Sequence, residues 1–259
     1  MKAIVIKGQM DVAVEEKPEP VLEKADQVIV RVKEAGICGS DLHTLRNDMG
    51  NAVYPRIPGH EFVGVVESIG SGVTRVKPGD RVAVEPILYC GKCYACRHGR
   101  QNVCRTVMTA GVHFDGGMQE LFLTTEDKLY LLPDDLTFHQ AVLAEPYTIG
   151  VQVNARAQTA PGDFVLIHGA GPIGIIIMDV AKQIGATCIL SEIKDARLAR
   201  AKQFGADYII NPMKQDLEAE VQKITGGMGP NVIVDAAGLP AMLSKAFEMV
   251  SPAGSIVNM

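Results

Sequence analysis

The second half of the chain alternates short apolar runs with longer segments whose apolar residues recur every three or four positions. A run of about five apolar residues is typical of a buried strand, and the longer periodic segments are typical of helices packed on a sheet. The alternation therefore predicts βαβ units around a parallel sheet. Strands are predicted at residues 164–168, 187–191, 208–211, 232–235 and 255–259, and helices at residues 146–158, 173–184, 195–204, 217–225 and 241–250.

The first half shows a different pattern, in which apolar and polar residues alternate over short runs separated by glycine and proline turns. Such runs are typical of β-strands with one buried face. Many short strands of this kind predict a compact β-barrel. The sequence thus divides into a β-rich domain, residues 1–154, and an α/β domain, residues 155–259. The predicted strands of the first domain are residues 2–7, 11–15, 27–33, 61–69, 81–85 and 118–124.

Composition excludes several classes of protein. At 259 residues the chain is long enough for two hydrophobic cores, and its hydrophobic fraction of 47% is typical of a folded protein. A net charge of −5 gives no electrostatic reason to bind nucleic acid. The first apolar run is too short for a signal peptide, and no apolar run is long enough to span a bilayer. We therefore expect a cytoplasmic protein that binds neither nucleic acid nor membrane.

Four of the six cysteines are crowded into one segment with the spacing Cys-x2-Cys-x2-Cys-x7-Cys. Thiolates at this spacing can surround one tetrahedral zinc ion, and an all-cysteine site leaves no open position for a substrate. A disulfide pair is disfavoured in a reducing compartment, and an iron–sulfur cluster is the other alternative. We predict a structural zinc site in a lobe covering about residues 85–108, with Cys90, Cys93, Cys96 and Cys104 as ligands.

A glycine-rich motif lies between the first predicted strand and helix of the α/β domain. The stretch Gly169-Ala170-Gly171-Pro172-Ile173-Gly174 matches the Gly-x-Gly-x-x-Gly pattern of dinucleotide-binding proteins. In that pattern the first glycine permits a tight turn, the second lets the main chain approach a pyrophosphate, and the third lets the helix pack on the sheet. We predict a dinucleotide site that includes Pro172 and Ile173. The alternative is a flavodoxin-like turn without a nucleotide.

The predicted strand at residues 187–191 is followed by two residues, Glu192 and Arg197, that could contact a dinucleotide. Glu192 can accept hydrogen bonds from the ribose hydroxyls of NAD and would repel the 2′-phosphate of NADP, so we predict NAD as the cofactor. Arg197 either lies over the adenine ring or is a solvated helix residue. We include both among the predicted cofactor-binding residues.

Candidate ligands for a second metal ion are dispersed over the first half. Cys38 follows a predicted strand, His60 and Glu61 lie in a Pro-Gly-His-Glu stretch, and Glu145 lies in Ala-Glu-Pro. Three protein ligands, namely Cys38, His60 and Glu145, would leave a fourth position open for water or an alcohol, as in catalytic zinc sites. Glu61 is either an exchanging ligand or a carboxylate that supports the site.

Two polar side chains follow Cys38 in the same segment. The hydroxyl of Ser40 can bond to a group held beside Cys38, and the imidazole of His43 can pass a proton to water. We predict that they form a proton relay, and the alternative is that both are solvated loop residues. Zinc lowers the pKa of an alcohol that it binds, so the whole set favours alcohol oxidation with hydride transfer to the dinucleotide.

Together these motifs resemble those of the zinc-dependent medium-chain dehydrogenases, the superfamily of alcohol, sorbitol and threonine dehydrogenases. The resemblance covers essentially the whole chain. It implies a barrel of the GroES co-chaperonin type followed by a Rossmann domain, two zinc ions per chain, NAD(P)-linked oxidation of a secondary alcohol, and a homodimer or homotetramer. The residues that carry it are 36–41, 59–61, the four cysteines, 145–146 and 169–174.

Two departures from the family pattern refine this expectation. Glu145 stands where alcohol dehydrogenases have the second cysteine of a Cys₂His catalytic site, which points to the polyol and threonine branch. Residues 111–117 and 144–149 look most like bacterial polyol and sugar-acid dehydrogenases. We expect oxidation of a polyol or a sugar acid, such as L-galactonate or L-gulonate at C5, with a threonine 3-dehydrogenase-like enzyme as the alternative.

The second departure concerns length. Family members continue beyond the fifth strand of the Rossmann sheet, on which this chain stops, so the resemblance implies a sheet that is incomplete at its C-terminal end. A truncated, non-catalytic binding protein is therefore a further alternative.

Overall fold

A computed structural model of the chain describes residues 1–48, 50, 52–238 and 240–259. The described residues form two compact units, Met1–Glu145 and Pro146–Met259. Among the helices of these residues, none combines the length and the apolar character needed to cross a bilayer.

The first unit consists mainly of antiparallel strands. Five of them form a sheet in the order β8-β3-β4-β5-β9, and the pairs β1-β2 and β6-β7 form two smaller sheets. The bounds are β1 (Lys2–Gly8), β2 (Asp11–Glu16), β3 (Gln27–Ala35), α1 (Gly39–Arg46), β4 (Phe62–Ile69), β5 (Arg81–Val84), β6 (Ile87–Leu88), α2 (Tyr94–Arg97), β7 (Met108–Thr109), β8 (Leu121–Thr125), β9 (Leu129–Leu131) and α3 (Phe138–Ala141).

The alternating pattern of these strands places one set of side chains in the core of the first unit. Val28 and Val30 of β3 pack there with Phe62 of β4 and Phe122 of β8. The rings of Phe62 and Phe122 meet edge to face, with 4.7 Å between their centroids. This core includes parts of β3 and β4, and the candidate metal ligands Cys38, His60 and Glu61 lie in the segments next to these two strands.

The structure of the first unit differs from the prediction at helix α1 and at the start of strand β8. Residues 39–46 form helix α1, which the apolar pattern does not predict because these residues carry no helical apolar stripe. The strand predicted at residues 118–124 begins only at Leu121. Residues 116–118 instead donate backbone hydrogen bonds to the loop at residues 57–59, which removes them from the sheet.

The second unit is a parallel sheet with the strand order β12-β11-β10-β13-β14. Its two faces are covered by helices, with Ile177 and Met178 in the core of one face and Val221 and Met249 in the core of the other. This doubly wound arrangement confirms the predicted fold class. The bounds are α4 (Ala144–Ala157), β10 (Phe164–His168), α5 (Pro172–Ile184), β11 (Thr187–Ser191), α6 (Asp195–Gln203), β12 (Tyr208–Ile210), α7 (Leu217–Ile224), β13 (Val232–Asp235), α8 (Pro240–Met249) and β14 (Ser255–Asn258).

Candidate functional site

Cys38 lies at the amino end of α1, where it is the N-cap residue with extended backbone angles. The carboxylate of Asp41, at the third helical position, accepts a hydrogen bond of 2.9 Å from the backbone N–H of Cys38. This is the return bond of a capping box, and it fixes the main chain that carries Cys38. It also fixes the start of the helix on which Ser40 and His43, three positions apart, share one side.

His60 lies in a buried loop immediately before β4. Gly59 in this loop has a φ of +97° and donates a backbone hydrogen bond of 3.2 Å to Oδ1 of Asp41. Asp41, which is only 6% exposed, therefore joins the Cys38 segment to the His60 loop. Asp41 is not among the site residues predicted from the sequence. The signal that could have found it is the capping-box spacing, three residues after Cys38.

A second stretch of main chain supports the His60 loop. Gly116 and Gly117 donate backbone hydrogen bonds to the carbonyl oxygens of Ile57 at 2.7 Å and Gly59 at 2.9 Å. A side chain on Gly116 would collide with the carbonyl of Gly59, so this close approach requires glycine. The two glycines thus help to position His60.

The structure brings together Cys38, His60 and Glu61, whose ligand atoms all lie within 4.8 Å of one another. Oγ of Ser40 lies 3.5 Å from Nε2 of His60. Nδ1 of His60 is buried, has no hydrogen-bond partner among the described residues and lies 4.0 Å from Oδ1 of Asp41. A thiol, an imidazole and a carboxylate are donor types that zinc takes in proteins, so the residues present fit the predicted metal.

Electrostatics in this group lower the pKa of the Cys38 thiol and raise the pKa of the His60 imidazole. The hydrogen bond with His60 lowers the pKa of the Cys38 thiol, against the opposing effect of burial. Burial lowers the pKa of His60, but the hydrogen bond with Cys38 and the negative charges of Asp41, Cys38 and Glu145 outweigh burial and raise this pKa to about 9. A metal ion binds the thiolate and the neutral imidazole, so it would displace the imidazole proton.

Glu145 is half-buried at the start of α4 and borders the same group. Burial raises the pKa of its carboxyl, while His60 lowers this pKa and Glu61 raises it further. Glu145 is therefore within electrostatic reach of two predicted ligands, although it lies outside the set of three whose ligand atoms are within 4.8 Å. Both carboxylates remain predicted ligands.

The two members of the predicted relay differ in exposure. Ser40 is half-buried beside His60, whereas His43 is exposed, and its Nδ1 lies 3.1 Å from the carboxylate of Asp48. The relay would therefore run from a partly buried end to a solvent-exposed end of the same helix face. His113, in contrast, accepts a backbone hydrogen bond from Thr109 and belongs to neither metal group.

The four cysteines of the lobe surround one centre. All are free thiols whose sulfurs lie within 4.8 Å of one another. The Sγ–Sγ distance is 3.5 Å between Cys93 and Cys96, 3.9 Å between Cys93 and Cys104, and 4.0 Å between Cys90 and Cys96. A tetrahedral zinc ion with Zn–S bonds of about 2.3 Å requires sulfurs about 3.8 Å apart. The sulfur positions, completed by Cys104, therefore fit a single closed zinc site.

Backbone N–H groups in the lobe prepare these sulfurs for a cation. The N–H groups of Cys90 and Thr106 each lie 3.4 Å from Sγ of Cys104, and that of Cys93 lies 3.3 Å from Sγ of Cys90. The two donors to Cys104 lower its pKa to about 6, whereas burial raises the pKa of Cys96 to about 12. A bound zinc ion would supply the positive charge that keeps all four as thiolates.

The glycine-rich motif has the predicted strand–turn–helix context. β10 runs into Gly169, which has a φ of +100° and donates a backbone hydrogen bond of 2.7 Å to the carbonyl of Ser191. Helix α5 begins at Pro172 with Gly171 as its N-cap, and a Cβ placed on Gly171 would have no atom of the described residues within 4 Å. A side chain on Gly174 would collide with the carbonyl of Gly169. The motif therefore leaves open main chain where a pyrophosphate binds in such folds.

Glu192 is buried directly after β11, with its carboxylate turned toward the glycine-rich turn. It accepts backbone hydrogen bonds from Lys194 at 3.0 Å and from Ala170 at 3.3 Å, and Nη1 of Arg197 lies 3.3 Å from Oε2. Burial raises the pKa of Glu192, but these three donors outweigh burial and lower it. The structure thus pairs the two residues that the sequence treated separately.

Comparisons with known proteins agree with this fold. The alcohol dehydrogenase GroES-like domain model matches residues 24–134, and the zinc-binding dehydrogenase model matches residues 172–259. The fold and the site thus define a zinc-binding dehydrogenase. The chain belongs to the zinc-dependent medium-chain alcohol dehydrogenase family, which confirms the resemblance seen in the sequence.

Individual relatives match over nearly the whole chain. It is 41% identical to starvation-sensing protein RspB of Escherichia coli, over 100% of this chain and 76% of the relative. It is 39% identical to sorbitol dehydrogenase of Bacillus subtilis, over 99% of this chain and 74% of the relative. The crystal structure of an E. coli rspB alcohol dehydrogenase complexed with NADH superimposes with a TM-score of 0.92 at 40% identity, over 100% of this chain and 76% of that chain.

Proposed function

We propose that the protein is a zinc-dependent dehydrogenase that oxidises a secondary alcohol of a polyol or sugar acid and passes the hydride to NAD. The observation that carries the proposal is the group of Cys38, His60 and Glu61, whose ligand atoms lie within 4.8 Å of one another. In this proposal residues 1–154 form the catalytic domain, residues 155–259 form the dinucleotide-binding domain, and the cysteine lobe holds a second zinc ion.

Zinc held by these residues would polarise the alcohol oxygen and lower its pKa. The oxidation removes one proton and one hydride, and the residues of α1 account for the proton. Ser40, 3.5 Å from Nε2 of His60, can take the hydroxyl proton, and the exposed imidazole of His43 can deliver it to water. Nδ1 of His43 lies 3.1 Å from a carboxylate oxygen of Asp48.

The choice of NAD rests on the buried carboxylate of Glu192. A fixed negative charge at this position accepts hydrogen bonds from ribose hydroxyls and repels a 2′-phosphate. The crystal structure of the rspB relative contains NADH, which supports the same choice. The polyol class is supported by the sorbitol dehydrogenase relative, and the sugar acids are the narrower prediction from the sequence.

A substrate panel tests the proposal. Zinc-loaded protein is assayed for reduced-cofactor absorbance with polyols, hexonates and threonine, each with NAD and NADP. We expect NAD-dependent oxidation of a polyol or sugar acid and a loss of at least about 100-fold in Cys38→Ser, because a metal ligand is removed. The matched control is Cys188→Ala, which removes a buried cysteine of β11 that belongs to neither metal group.

Two results would contradict the proposal. One is zinc-loaded wild-type protein that oxidises no member of the panel with either cofactor, and the other is activity that survives Cys38→Ser. Oxidation of threonine and of no other member of the panel would replace the proposed polyol or sugar-acid substrate with threonine. The homodimer or homotetramer implied by the family is a separate prediction, which light scattering of the purified protein tests.

A further inference from the structure

A row of polar side chains crosses the carboxyl edge of the parallel sheet in the second unit. Ser191, His168 and Asp235 are register partners on β11, β10 and β13, and they are 4%, 1% and 2% exposed. Register partners point to the same face of a sheet, here the face that Leu166 and Ile233 line with apolar side chains. Strands buried on both faces are normally apolar throughout. Three buried polar residues in one row therefore require an explanation.

Asp235 shapes the chain that follows β13. Its Oδ1 accepts backbone hydrogen bonds from Ala237 at 2.9 Å and from Gly238 at 3.0 Å. Gly238 has a φ of +69°, a conformation that favours glycine. One carboxylate oxygen thus holds residues 236–238 in a tight turn, in the way that aspartate side chains commonly stabilise turns.

This turn lies against the glycine-rich turn. The N–H of Ala236 donates a hydrogen bond of 2.9 Å to the carbonyl of His168. A side chain on Gly169 would meet the carbonyl oxygen of Ala236 at 3.2 Å and the nitrogen of Ala237 at 3.3 Å. The main chains of the two turns are therefore in contact, and the position of one limits the position of the other. Both lie at the carboxyl ends of the strands, where dinucleotides bind in such sheets.

His168 lies next to Asp235 in the row. Both ring nitrogens are buried and have no hydrogen-bond partner among the described residues. Burial lowers the pKa of this imidazole, and the negative charge of Asp235, the one charged group in the described part of the chain that acts on it, opposes that effect. A neutral imidazole leaves the carboxylate to the turn, whereas an imidazolium would compete with the two backbone donors for it.

We propose that Asp235 is a positioning residue for the dinucleotide and that His168 is the buried neighbour that leaves its carboxylate to the turn at residues 236–238. The inference rests on the proposed use of NAD. Asp235 acts through main chain alone: it holds the turn, and the turn holds Gly169 in the conformation that faces the cofactor.

The test compares two substitutions at Asp235 in the zinc-loaded protein. Asparagine keeps an oxygen that can accept both N–H groups, and alanine removes it. We expect Asp235→Ala to weaken NADH binding about tenfold or more, and Asp235→Asn to stay within about threefold of wild type. Asp235→Ala should also speed amide hydrogen exchange in residues 236–238 and raise KM for NAD more than it lowers kcat. The matched control is Ile233→Val on the same strand, which trims the core and leaves the turn intact.

The outcomes separate this inference from the proposed function. NADH binding and turn exchange at wild-type values in Asp235→Ala would overturn the inference alone. Equal losses of NADH affinity in Asp235→Ala and Ile233→Val would also overturn it, because they would indicate a general loss of stability. An equal loss in Asp235→Asn would overturn it as well, because it would assign the effect to the charge of the carboxylate. Wild-type protein that binds neither NADH nor NADPH would overturn the proposed function and the inference together.

Discussion

Replacement of Asp41 by alanine tests whether one buried carboxylate assembles the candidate metal site. Its oxygens accept backbone hydrogen bonds from Cys38 at 2.9 Å and from Gly59 at 3.2 Å, and the side chain is 6% exposed. Alanine removes both acceptors and leaves two backbone donors without this partner. A hydrogen bond to a charged group contributes about 1.5–3 kcal/mol, so the two bonds together contribute roughly 3–6 kcal/mol.

We expect a loss near the lower end of this range, because the half-buried Cys38 segment lets water replace part of one bond. The free energy of unfolding of the zinc-free protein should therefore fall by about 3 kcal/mol. His60 also loses the carboxylate that lies 4.0 Å from its Nδ1. Loss of a group that supports a metal ligand typically weakens metal binding about 10–100-fold, and we expect the Kd for the catalytic zinc to rise by that factor.

Urea denaturation measures the first quantity, and competition with a chromophoric chelator measures the second. The matched control is Asp48→Ala, because Asp48 is an exposed carboxylate. Among the described residues, its side chain forms a hydrogen bond only with the ring of His43. Its replacement should change stability by less than about 0.5 kcal/mol and leave zinc affinity unchanged. If Asp41→Ala behaves like Asp48→Ala in both measurements, the carboxylate does not assemble the site.

Three further predictions concern other parts of the chain. Lys128→Met removes a buried ammonium group that lies 3.7 Å from the centre of the Tyr89 ring and 3.5 Å from Oε2 of Glu85. Urea denaturation should show that the free energy of unfolding falls by about 1–2 kcal/mol, and an unchanged midpoint would argue that these contacts do not stabilise the fold. Gly174→Ala places a side chain against the carbonyl of Gly169, so it should weaken NADH binding at least about tenfold and lower the free energy of unfolding by about 1–3 kcal/mol. If the variant binds NADH with wild-type affinity in a titration, helix α5 can shift freely to accommodate the side chain. Burial lowers the pKa of His168 below 6.5, so its contribution to stability is present above pH 6.5 and is lost as the pH falls through the folded-state pKa. The free energy of unfolding, measured by urea denaturation from about pH 7.5 to pH 5, should therefore fall more steeply in wild type than in His168→Gln. Parallel curves for the two proteins would refute this prediction.

The second unit could be predicted from the sequence almost element by element. Its strands are buried on both faces, so they read as unbroken apolar runs, and turns and helix caps mark their ends. The bounds of Phe164–His168 and Thr187–Ser191 match the prediction residue for residue. The glycine-rich motif was found for the same reason, since all its parts are local in sequence.

The first unit could be predicted less completely because its geometry depends on contacts between distant residues. Helix α1 has no apolar stripe, and its start is fixed by the hydrogen bond that the backbone N–H of Cys38 donates to the carboxylate of Asp41. The shortened strand β8 reflects bonds from Gly116 and its neighbours to the loop that carries His60. No periodicity in the sequence reports such pairs, because the partners belong to different elements.

The candidate metal site shows the same division between what is local and what is distant. Its donors, Cys38, His60 and Glu61, carry chemistry that identifies them from residue type alone. Their positions, however, depend on a carboxylate and on glycines that bind no metal, since Asp41 links two segments that are 18 residues apart. Ligand spacing therefore finds the atoms that would hold zinc and misses those that hold the ligands. Substitution of Asp41 is for this reason a sharper test of the site than substitution of a ligand, because it leaves every donor in place and changes only the arrangement.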